Sequence, residues 1–203
     1  MQLTGRQIIQ EGIITGYCNE GIQQAGVDLR LMQVNYLVGE GLVPKVGKTR
    51  LPDYFELKDR YPVTLASCSY AIYAGETGEE LVAWHLMPGY YEIILEEGCK
   101  MPNNRAMTFV QRSSLLRCGA IIRSSQFDPG FETEHMGTFM QVFHPITIEK
   151  GARVCQTLVI ETAEVAAEDL YQGQWQGDKQ RTGLFDVREV GGARVLGGPE
   201  TCL

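Results

Sequence analysis

A series of short alternating apolar runs, each cut off by a glycine- or proline-bearing turn, constrains this chain more than any other feature. Val27-Asp28-Leu29-Arg30-Leu31 alternates apolar and polar residues, the period of a half-buried strand. Further runs of strand character occupy residues 71–74, 81–86, 90–95, 107–110, 138–143, 146–148 and 154–160. Between them stand Met87-Pro88-Gly89, Glu96-Glu97-Gly98, Asp128-Pro129-Gly130 and Glu149-Lys150-Gly151, all turn signals. Regular short strands with such punctuation predict a mainly β chain, a barrel or a sandwich.

Helices are minor. Thr4 and Gln7 have the S/T-x-x-Q spacing of a capping box, with Ile8 and Ile9 as the apolar face and Gly12 as a stop. A second short helix is expected at residues 113–116, before Gly119. Residues 35–62 hold Gly39, Gly41, Pro44, Gly47, Pro52 and Pro62 with little periodicity, and read as a long excursion from the barrel. Residues 1–180 are expected to form one domain. Residues 181–203 are expected to be a glycine-containing tail, either disordered or docked on another surface.

Composition narrows the class of partner. At 203 residues and 22.6 kDa the chain can bury about 70% of its unfolded surface, enough for a core without staples. The net charge of −7 and the lack of a Lys/Arg cluster argue against duplex nucleic acid. No apolar run is long enough to cross a bilayer, and Met1-Gln2-Leu3-Thr4-Gly5-Arg6 has no signal-peptide core. These readings give a cytoplasmic protein that binds neither membrane nor nucleic acid. The six cysteines show no C-x-x-C pair, and His85, His135 and His144 show no H-x-x-x-H spacing. Free, buried thiols are expected, and no metal-ligating residues.

Two stretches carry chemistry. Arg112-Ser113-Ser114-Leu115-Leu116-Arg117-Cys118-Gly119 places two guanidinium forks around two hydroxyls, a composition suited to phosphate oxygens. An ordinary capped helix with solvated arginines would look the same. Asp128-Pro129-Gly130-Phe131 is a turn whose aspartate and aromatic ring could receive a sugar.

Together with Thr4-Gly5, Val27-Asp28-Leu29-Arg30-Leu31 and Tyr171-Gln172-Gly173-Gln174-Trp175-Gln176-Gly177, these stretches resemble the dCTP deaminase group of the dUTPase-like superfamily. The resemblance implies a distorted β-barrel, a homotrimer with sites between subunits, and a tail that closes over the nucleotide. It implies a pyrimidine deoxynucleoside triphosphate as substrate, with Mg²⁺ carried on the triphosphate and no zinc. Carried over residue by residue, Ser113 would position the attacking water and Arg117 would steady its charge. Arg112, Ser114, Leu115, Leu116, Asp128, Thr138, Tyr171, Gln174 and Asp178 would contact substrate. The family's general-base glutamate falls on Thr138, so Glu134, the nearest acid, is the expected substitute. The lysine of the family's tail is Gln174 here, and a later glutamine is Asp178. The expected reaction is deamination of dCTP to dUTP. The alternatives are dUTP hydrolysis through Asp128 and a nucleotide-binding trimer without turnover.

Overall fold

The computed structural model describes residues 1–57, 69–74, 80–177, 186–190 and 193–197. In chain order the elements are helix α1 (Gly5–Gln10) and strands β1 (Ile14–Thr15), β2 (Asp28–Val38), β3 (Asp53–Glu56), β4 (Ser69–Ala74), β5 (Glu80–Leu86), β6 (Gly89–Leu95), β7 (Gly98–Lys100) and β8 (Arg105–Gln111). There follow helix α2 (Ser113–Arg117) and strands β9 (Ala120–Arg123), β10 (Glu132–Thr133), β11 (Gly137–Val142), β12 (Ile146–Glu149), β13 (Arg153–Glu161), β14 (Asp186–Val190) and β15 (Ala193–Gly197).

The main sheet runs β8-β13-β2-β6-β11-β9, with β3 paired to the far end of β2. Its edge strands β8 and β9 are consecutive in the chain and joined by α2, so the sheet curls into a nearly closed barrel. Smaller sheets, β12-β5-β4 and β1-β7-β10, complete the wall. The expectation of a mainly β barrel is met. Within the C-terminal segment, β14 and β15 pair with each other as an antiparallel hairpin.

Alternation explains the core. Along β6, Tyr91, Ile93 and Leu95 are buried inside the barrel, and along β11 the same holds for Thr138, Met140 and Val142. Each fully buried aliphatic side chain contributes about 1.5–3 kcal/mol. At α1 the expected capping box forms: Thr4 Oγ1 accepts from the Gln7 backbone N–H, while the Gln7 side chain receives the Thr4 N–H. Ile8 seats the helix in the core.

Two polar networks hold the barrel edges. Glu97 is fully buried and accepts from Arg30 Nε at 2.7 Å and from the Arg30 backbone N–H at 2.8 Å. Burial pushes the Glu97 carboxyl above its ordinary range, and the hydrogen bonds and charge of Arg30 oppose this. Asp28, 2% exposed, faces Arg112 Nε at 3.3 Å and Arg153 at 3.4 Å.

Two readings need correction. The excursion begins later than residue 35: β2 continues to Val38, and β3 folds back on it with Asn35 opposite Glu56. The reading continues through residues 58–62, which lie outside the described residues. Cys18, Cys99, Cys118 and Cys155 are free, but Cys118 is exposed rather than buried, because it caps α2 on the outer surface. No helix among the described residues is long and apolar enough to cross a membrane.

Candidate active site

The chain between β9 and β10 builds one wall of a cleft. Pro129 and Gly130 occupy the two corners of the Asp128 turn, closed by the Phe131 N–H donating to the Asp128 carbonyl at 3.1 Å. Gly130 has φ +87°, which an L side chain rarely adopts, and an added Cβ would meet Leu170. The turn is pinned from behind. Phe127 pairs with Met107 through two backbone bonds, and the Gly130 N–H donates to the Met101 carbonyl. Phe109, Phe127, Phe131 and Tyr171 touch in sequence, the first pair tilted and the next two edge-to-face, with ring centroids 4.8, 5.3 and 5.5 Å apart.

This wall faces a cleft of about 250 Å³. Gln126 and Asp128 line it on one side, and Gln126 Nε2 donates to Asp128 Oδ1 at 3.0 Å. Glu92 and Phe139, directly opposite each other on β6 and β11, line the outer face of the sheet. Glu92 is 9% exposed and accepts from Asn35 Nδ2 at 3.0 Å, and Asn35 in turn accepts from Gln33. Leu51 comes from the excursion, and Tyr171 and Trp175 come from the tail. The described lining therefore holds two carboxylates and no lysine or arginine.

Of the residues expected from the sequence, the cleft gathers Asp128, Thr138 and Tyr171. Thr138 is buried, and its hydroxyl donates to the Arg123 carbonyl at 3.2 Å, so it offers no proton acceptor in the glutamate position. Glu134 is not in the cleft. β10 carries Glu132 and Thr133 into pairing with β7, and Glu134 emerges exposed beyond them. Closeness in sequence to the turn does not bring it there.

The Arg112–Arg117 stretch lies elsewhere. It forms α2, separated from the Ser125–Asp128 wall by the length of β9, about 13 Å for four residues. Ser113, Ser114 and Arg117 are exposed, and Arg117 makes no ion pair among the described residues. Arg112 turns back to Asp28 instead. Leu115 is 6% exposed and belongs to the core, so its side chain is not a substrate contact, whereas Leu116 is half exposed.

The tail crosses the cleft. The Tyr171 N–H donates to the Pro129 carbonyl, the Gly177 N–H donates to the Glu132 carbonyl, and Gln176 Nε2 donates to the Gly130 carbonyl, all at 2.9 Å. Gln174, expected at a phosphate, spends its amide on the Thr49 backbone. Asp178 lies outside the described residues. Sequence reasoning missed Glu92, Leu51, Phe139 and Trp175 as cleft residues. A charged residue inside the otherwise apolar run Tyr90-Tyr91-Glu92-Ile93-Ile94-Leu95 was the one local signal for Glu92.

Among the described residues no group of three or more His, Cys, Asp or Glu could hold a metal ion. The two cleft carboxylates, Glu92 and Asp128, do not amount to a Mg²⁺ cage.

A family model described as dCTP deaminase-like matches residues 3–162. Among curated proteins, the deoxyuridine 5'-triphosphate nucleotidohydrolase of Methanocaldococcus jannaschii is 35% identical over 161 residues, 78% of this chain and 88% of that protein. Proteins named "Probable deoxyuridine 5'-triphosphate nucleotidohydrolase" from Halobacterium salinarum and Aeropyrum pernix are 32% and 27% identical. They cover 81% and 88% of this chain, and the matches span 88% and 99% of those proteins. The crystal structure of 2'-deoxycytidine 5'-triphosphate deaminase from Agrobacterium tumefaciens shares the fold, with a TM-score of 0.52 at 17% identity. It covers 78% of this chain, and this chain spans about half (47%) of it. The curated relatives overturn the first expectation: their names give dUTP hydrolysis, not deamination of dCTP.

Proposed function

We propose that this chain, which belongs to the dCTP deaminase-like family, is a dUTP diphosphatase that hydrolyses dUTP to dUMP and pyrophosphate. Enzymes of the dCTP deaminase and dUTPase type are nucleotide hydrolases, and this chain is one of them. The observation that carries the reading is Asp128, a carboxylate on a pinned turn at the wall of a cleft that the tail covers, in a chain 35% identical to a dUTP nucleotidohydrolase.

In this reading Asp128 takes the proton of the water that attacks the substrate's α-phosphorus, and Gln126 holds the carboxylate in place. Tyr171, seated against Phe131, covers the sugar. Ser113, Ser114 and Arg117 serve the phosphates of a site shared between copies in a homotrimer, and Mg²⁺ arrives on the triphosphate oxygens. The exposed Val110, Leu116 and Phe143 supply apolar surface for that assembly. The free cysteines suit a reducing cytoplasm.

Parallel assays of pyrophosphate and ammonia release from dUTP and dCTP test the reading. Pyrophosphate from dUTP without ammonia from dCTP is the expected result. Ammonia release from dCTP, or no pyrophosphate from dUTP, overturns it.

A further inference from the structure

We propose that Gln174 is a positioning residue: by clasping the backbone of Thr49 it holds residues 171–177 as an arch over the cleft, with Trp175 and Tyr171 presented to the ligand. The inference deepens the reading of this cleft as a nucleotide site and rests on it.

The arch has two footings. One stands on the Asp128 turn, where four bonds tie Tyr171, Gln176 and Gly177 to Pro129, Gly130 and Glu132. The other is Gln174 alone. Its Oε1 accepts from the Thr49 N–H at 3.1 Å, and its Nε2 donates to the Thr49 carbonyl at 3.3 Å. A primary amide offers both a donor and an acceptor in one plane, so it can bond the N–H and the C=O of a single residue as a strand rung does; a lysine offers only donors. Between the footings the Trp175 N–H donates to Tyr171 Oη at 3.4 Å.

The far footing is itself braced. Leu42 and Arg50 pair through two backbone bonds of 2.8 and 2.9 Å, an isolated bridge that fixes the loop carrying Thr49. Leu51, two residues on, lines the cleft. The clasp therefore ties the cover of the cleft to the loop that forms its opposite wall. Both ends of the Gln174 amide are occupied by the Thr49 backbone, which gives this side chain a partner other than phosphate.

The test needs no new label. Trp84 is 3% exposed and Trp175 is 37% exposed, so iodide quenching of tryptophan fluorescence in the nucleotide-free protein reads Trp175. Quenching should rise in Gln174→Ala and in Gln174→Glu, whose carboxylate lacks the donor and opposes the Thr49 carbonyl. Thr49→Ala keeps the backbone clasp and should quench like the parent. In turnover, loss of two hydrogen bonds should raise the KM for dUTP by about 5–30-fold with kcat within about threefold. Quenching unchanged in Gln174→Ala overturns the clasp, as does an equal rise in Thr49→Ala. Raised quenching with an unchanged KM overturns its positioning role. A parent protein without dUTP turnover refutes the proposed reaction instead, and the quenching series still decides the clasp.

Discussion

Replacing Asp128 by asparagine separates chemistry from binding at this cleft. The side chain keeps its size, and its Oδ1 can still accept from Gln126 Nε2, now at 3.0 Å. Only the charge and the basicity are lost. Because the residue is half-buried and sits on a turn held by backbone bonds, the fold should lose no more than about 0.5 kcal/mol. If Asp128 takes the proton from the attacking water, kcat for pyrophosphate release should fall about 10²–10⁴-fold, a barrier increase of about 3–5 kcal/mol. Nucleotide affinity should hold or improve, since one of two carboxylates leaves a cleft whose described lining has no cation. Calorimetry with dUTP under conditions of slow turnover reads the affinity, and coupled pyrophosphate detection reads the rate. Glu92→Gln is the comparator, because Glu92 is the other carboxylate in the lining. A rate within about threefold of the parent in Asp128→Asn would refute the assignment. Loss of pyrophosphate release in Glu92→Gln alone would move the base to Glu92.

Two further predictions concern the frame around the site. Arg30→Met leaves the buried Glu97 carboxylate without its ion-pair partner and should destabilise the protein by about 3–5 kcal/mol near pH 8. Because burial already raises the Glu97 carboxyl and Arg30 opposes the rise, removing Arg30 lifts it further; stability is then kept at low pH and lost as pH rises through the raised folded value. Urea unfolding should accordingly show a smaller deficit near pH 5 than near pH 8, and an equal deficit at both would contradict this. Gly130→Ala places a Cβ at φ +87° against Leu170, so it should cost about 1–2 kcal/mol and loosen the tail, read as faster proteolysis between residues 165 and 177.

What the sequence revealed of the fold follows from where each signal is local. The Thr4–Gln7 capping box is contained in four residues and forms as spelled. The turns at 87–89, 96–98 and 149–151 likewise separate the strands they punctuate. β2 was harder to read because its pairing with β6 shifts register between Leu31 and Gln33. The irregularity changes the phase of alternation, and the second half of the strand stops looking like the first. β9 is only Ala120-Ile121-Ile122-Arg123, three apolar residues and an arginine, too short to show a period. The site divides the same way. Asp128 and Tyr171 belong to compact motifs and were legible. Glu92 reaches the cleft through strand pairing and Leu51 through a loop fold, and neither leaves a trace in spacing.

The position of α2 carries the remaining argument about the proposed trimer. A triphosphate brings several negative charges into a chain of net charge −7, toward a cleft whose described lining adds two carboxylates. Coulomb repulsion at short range in a partly dry cleft is worth several kcal/mol per pair, so phosphate cannot be held by that lining alone. Arg112 is committed to the buried Asp28, where it shares with Arg153 the task of offsetting a buried charge. Arg117 is exposed, has no ion pair among the described residues, and stands at the opposite end of β9 from Asp128. Beside it Leu116 is half exposed, with Val110 on β8 and Phe143 after β11 also open to solvent. An uncommitted guanidinium set among exposed apolar side chains suits a surface that meets a second copy of the chain. Such a meeting buries the apolar groups and brings the cation to the phosphates of a nucleotide seated in the neighbour's cleft. In the proposed trimer, a cleft with no cation in its described lining and a helix with an arginine outside any ion pair among the described residues would be two halves of one site, and in that sense the trimer and the diphosphatase reading support each other.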